Sequence, residues 1–210
     1  MNKNVTLLLW AIFYATVVYF IFDESIEFNP KKNGTIFLEE SLFRIQKFLF
    51  NINIFFTMYI FIMKKPFTAP IFFIRCKNEF AKYVINYGIR ICLLFLIFTL
   101  CLHIGIPILK GTSLVFKGVI TGSISLFIFI FSMYLLYLYI LLRTNKQIFS
   151  LLSVFVINFI TLIIYQAISF NLHLKYSNKL ELNFSTFLLA ITSIILIRKI
   201  KITESKDLVN

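Results

Sequence analysis

The chain has 210 residues, a formal net charge of +12, 60% hydrophobic residues and 27 phenylalanines. A water-soluble domain of this size has too little interior to hide so much apolar surface. The charge would suit a nucleic acid, but its basic residues cluster beside long apolar runs, where Lys and Arg set topology and touch anionic head groups. A nucleic-acid partner is therefore excluded, and the lipid bilayer becomes part of the fold.

The expected architecture is all-α: one polytopic integral membrane domain, residues 1–210, of six transmembrane helices. A span needs about 20 apolar residues. In chain order the candidates are 5–22, 48–63, 84–109, 118–142, 148–170 and 183–197. The first follows Lys3 as a signal peptide would, but no small-x-small cleavage site follows it, so it is read as a retained span. The Asn, Ile, Lys and Phe bias is that of an AT-rich genome and points to a bacterial cell membrane.

Charge sets the orientation. The break after span two holds Lys64, Lys65, Arg75, Lys77 and Lys82 against Glu79, and the break after span four holds Arg143 and Lys146. The tail holds Arg198, Lys199, Lys201 and Lys206 against Glu204 and Asp207. Alternating spans put these three breaks on one side, and the positive-inside rule makes it the cytoplasm. Both termini are then cytoplasmic. The segments 23–47, 110–117 and 171–182 face out. Arg90 is the one charge well inside a run; near the cytoplasmic end it can snorkel to the head groups as an anchor. Deep Asp or Glu, usual in proton- or ion-coupled carriers, is absent from the spans. Cys92 and Cys101 lie within an apolar run and are expected to pack as small hydrophobes. No Cys/His metal spacing occurs.

The segment 64–83 is the longest expected cytoplasmic loop. Pro66 and Pro70 break any helix continuing from span two. From Ile71, apolar Phe72, Ile74 and Phe80 alternate with Arg75, Lys77, Asn78 and Lys82, a pattern suited to a short interfacial helix with Arg75 and Glu79 paired on its wet face. Such an elbow can simply reorient the chain, or it can dock a cytoplasmic partner.

The six-span layout, together with the stretch Phe72-Phe73-Ile74-Arg75-Cys76-Lys77-Asn78-Glu79-Phe80 leading into Lys82, resembles ABC-2-type exporter permeases, in particular small permeases of Gram-positive peptide or bacteriocin export and immunity systems. The resemblance implies a permease subunit working as a homodimer or heterodimer. It also implies a separate cytoplasmic ATP-binding subunit that meets Arg75, Lys77, Glu79, Phe80 and Lys82. A chain with six glycines and no GxxxxGK[ST] loop cannot bind ATP in that way itself, so no catalytic activity and no cofactor of its own are expected.

Three other features of the sequence bear on function. Glu39-Glu40-Ser41-Leu42-Phe43-Arg44 matches EExxxR, the first motif of CAAX-type intramembrane proteases, in which paired carboxylates act with histidines; here the histidines are His103 and His173. The following FxxxH motif fails, because Thr99 and Ser169 stand four residues before them. The plainer reading of Glu39 and Glu40 is a solvated acidic helix start. Gly118 and Gly122 form a GxxxG that lets another helix approach closely. Asn158 and Gln166, eight residues apart on one helical face, could line a substrate route or simply hydrogen-bond between helices. The competing functional readings are a permease, a non-transport accessory or immunity protein, and the protease.

Overall fold

Away from water, a backbone must satisfy its own polar groups, and for an isolated apolar run only a helix does so. The computed structural model describes residues 3–27, 35–37, 45–63, 80–109, 113–115, 119–144, 146–171 and 191–199. In chain order these form α1 (Lys3–Glu27), β1 (Thr35–Phe37), α2 (Ile45–Ile62), α3 (Phe80–Leu109), β2 (Ser113–Val115), α4 (Val119–Thr144) and α5 (Gln147–Asn171). A last helix, α6, covers 191–199.

Three of these helices contain stretches long and apolar enough to cross a bilayer: Lys3–Phe20, Lys82–Leu109 and Gly122–Thr144. Asn51–Ile62 and Gln147–Ile160 are shorter apolar stretches. The outward faces are apolar too: α1 exposes Leu8, Leu9, Ile12, Phe13 and Phe20, and α5 exposes Leu152, Val156 and Ile160. Water does not tolerate apolar surface of that continuity on a monomer, but acyl chains do. The protein is therefore helical and membrane-associated.

The fold also contains a small sheet that the helical reading did not foresee. β1 and β2 pair in parallel, with Thr35 opposite Ser113, Ile36 opposite Leu114 and Phe37 opposite Val115. Strands of three residues carry no periodicity to detect, and their pairing is non-local.

The chain divides into two compact units, one of Met1–Ile62 with Leu94–Leu126, the other of Met63–Leu93 with Phe127–Asn210. The first is centred on aromatic side chains. Trp10, Tyr14 and Val18 recur every four residues along α1 and are all buried. The Trp10 ring lies 5.1 Å from Tyr59, 5.6 Å from Phe98 and 6.1 Å from Phe95 between centroids. Its Nε1–H donates to the Phe55 carbonyl at 3.2 Å. Tyr14 stacks on Phe55 at 4.3 Å. Offset or tilted ring pairs at such distances add attraction beyond burial.

The second unit packs Val84, Gly88, Ile91 and Cys92 of α3 with Ile130, Met133, Tyr134, Leu135 and Leu138 of α4 among its buried residues. The Tyr134 hydroxyl donates to the Val84 carbonyl at 3.0 Å. Tyr87 donates to the Met63 carbonyl at 2.9 Å, tying the start of α3 to the residue that follows α2. The α4–α5 turn is closed by its own side chains. Thr144 Oγ1 donates to the Ile140 carbonyl at 2.9 Å and accepts from the Lys146 amide at 3.3 Å. The Ser150 amide and hydroxyl both donate to the Lys146 carbonyl, at 3.0 and 2.8 Å. Such local bonds satisfy the groups that helix ends leave open.

Candidate functional site

Polar side chains buried in an apolar membrane helix are costly, so they are the first place to look for function. The first unit holds a row of them. Thr99 and His103, one turn apart on α3, are both buried, and so is Tyr14 on α1. Tyr14 Oη and Thr99 Oγ1 hydrogen-bond at 3.3 Å. His103 Nδ1 lies 3.0 Å from the Thr99 carbonyl. A carbonyl only accepts, so Nδ1 carries the proton, and in the neutral ring Nε2 is the acceptor. Pro107, four residues beyond His103 and inside α3, has no N–H for the His103 carbonyl, which loosens the helix ladder at this level. Asn53, wholly buried on α2 of the same unit, adds a further polar group, and its carbonyl accepts from Thr57 Oγ1 at 2.7 Å.

The row offers hydroxyl and imidazole groups in an apolar surround. It does not have the form of a nucleophile–base pair: His103 meets Thr99 at its carbonyl, while the Thr99 hydroxyl meets Tyr14.

The residues singled out in the sequence are placed unevenly. Of the protease candidates, only His103 is described; Glu39, Glu40 and His173 lie outside the described residues. Arg75, Lys77 and Glu79 of the expected coupling loop also lie outside them, while Phe80 opens α3 and Lys82 is exposed on its first turn. Gly122 is buried and Gly118 is not described. Asn158 is half-buried, and its Nδ2 finds no hydrogen-bond partner among the described residues; the Gln166 side chain is outside them. Arg90 is exposed, as an anchor should be. Cys92 is buried as expected, but Cys101 is exposed, because it falls on the outward face of α3 beside Ile97. Among the described residues, no group of three or more His, Cys, Asp or Glu comes together to hold a metal.

Tyr14 of the row and the separate buried Asn53 are not among the candidates read from the sequence. The usable signal was a hydroxyl or amide flanked on both sides by apolar runs, where the bilayer forces it to find a partner. No known family, curated protein or solved structure shows detectable similarity to this chain.

Proposed function

We propose that the chain is the membrane-spanning permease subunit of an ABC-type exporter in a bacterial cell membrane, moving a peptide or another amphiphile with energy from a separate ATPase. The supporting observation is that one continuous helix, Phe80–Leu109, takes in the last residues of the expected ATPase-facing loop, Phe80 and Lys82, and carries the buried Thr99 and His103. In this reading the cytoplasmic subunit pushes on Ile71–Lys82. The α3 helix passes that motion to the polar row, and two six-helix subunits rearrange around the cargo.

The six-span layout with both termini inside belongs to the same proposal. Two local contacts support it. Arg143 and Lys199, from two breaks assigned to the cytoplasm, meet at one ring, that of Tyr139. The segments holding β1 and β2, both assigned to the outside, pair with each other. The layout is checked by introducing single cysteines after replacing Cys76, Cys92 and Cys101 with serine. A cysteine at Asn33 or Asn178 is expected to react with an impermeant thiol reagent on intact cells, and one at Asn145 or Ser205 is not. Outside labelling at Asn145 would overturn the topology.

Function is tested by purification from the native host in mild detergent. An ATPase subunit is expected to accompany the chain. The double change Arg75→Glu, Lys77→Glu should release that subunit while leaving insertion intact, because Lys64, Lys65 and Lys82 still mark the inside. Recovery of the native chain alone would remove the transporter reading and favour a non-transport accessory or immunity protein.

A further inference from the structure

The last turn of α4 carries Arg143, where the helix dipole favours a cation. Its Cζ lies 4.9 Å from the centroid of the Tyr139 ring, one turn earlier. Lys199 Nζ, from α6, lies 5.8 Å from the same centroid. Both distances fall within the range of cation–π attraction. Cations from two separate helices thus converge on one ring. Arg143 and Lys199 are exposed, and Tyr139 is half-buried. Both cations are held against one ring, so an oxyanion beside it could bond to both and take a two-pronged bond from the guanidinium.

Location selects the kind of oxyanion. Tyr139 and Arg143 stand at the end of Gly122–Thr144, a stretch long and apolar enough to cross the bilayer. Amphipathic rings and snorkelled cations at such an end sit among the lipid head groups. The α4–α5 turn is held by Thr144, Lys146 and Ser150, so Arg143 is presented from a fixed backbone. We propose that Tyr139, Arg143 and Lys199 form a binding site for the phosphate of an anionic phospholipid head group, which bridges the ends of α4 and α6. This site does not depend on the transport reading.

The test is native mass spectrometry of the full chain in detergent, titrated with phosphatidylglycerol or with phosphatidylcholine. Phosphatidylglycerol is expected to remain bound and phosphatidylcholine to dissociate. Arg143→Gln and Lys199→Gln should each weaken phosphatidylglycerol binding about fivefold, the effect of one basic residue at an anionic surface. Tyr139→Leu should weaken it as much, because it removes the shared ring, whereas Tyr139→Phe should keep it. Lys146→Gln and Arg198→Gln remove the same charge nearby and should change it by less than about twofold. Equal weakening by all four glutamine variants would mean diffuse attraction and would overturn the site. So would equal retention of phosphatidylcholine, or displacement of the lipid by inorganic phosphate.

Discussion

Replacing Gly88 with alanine is expected to destabilise the protein, although alanine is the better helix former. In an exposed helix the change would gain about 1 kcal/mol. At Gly88, however, an added Cβ would overlap the ring of Tyr134. That ring cannot simply swing aside: Tyr134 is buried, and its hydroxyl is held by the Val84 carbonyl. Overpacking of this kind costs about 1–3 kcal/mol, and loss of the hydroxyl bond adds about 0.5–1.5 kcal/mol. The overlap therefore outweighs the propensity gain, and Gly88→Leu should be worse still. Thermal unfolding in detergent micelles measures both. Tyr134→Leu introduced with Gly88→Ala should recover part of the loss, because it removes the obstructing ring. If Gly88→Ala alone stabilises the protein, the two helices do not approach so closely.

Trp10→Ala should cost about 3 kcal/mol. In soluble cores such truncations cost about 3–5 kcal/mol; the low end applies because acyl chains are as apolar as the side chains they would replace. What is lost is the packing of Trp10 with Tyr14, Tyr59, Phe95 and Phe98, and its bond to the Phe55 carbonyl. Trp10→Phe keeps a ring and should lose about 1 kcal/mol, close to the worth of that hydrogen bond. Denaturation of the two variants in mixed micelles separates ring packing from the bond; equal losses would mean that the indole N–H dominates.

The helical character was legible because an apolar run in lipid has few alternatives. The first unit's polar row was only half legible. Thr99 is the residue that spoils an FxxxH motif at His103, and it is the residue whose carbonyl that histidine meets. Its other partner, Tyr14, lies 85 positions earlier, and no periodicity links residues that far apart. Gly118 of the GxxxG lies outside the described residues, and a close helix approach is described at Gly88. A lone glycine in a span has no signature, although Gly88 and Cys92, both small, buried and four apart, form a weaker version of the same pattern. The basic-aromatic loop between α2 and α3 was the clearest functional signal in the sequence, and Arg75, Lys77 and Glu79 fall outside the described residues.

The pairing of β1 with β2 also constrains how the protein is made. Thr35–Phe37 leaves the ribosome long before its partner Ser113–Val115, and α2 and α3 lie between them in the chain. Until both of those helices have been synthesised, the earlier strand lacks its partner and has an open edge of unpaired amides and carbonyls. The sheet therefore cannot close before Val115 has been made, and a nascent chain stalled before residue 113 would leave that edge open to other strands.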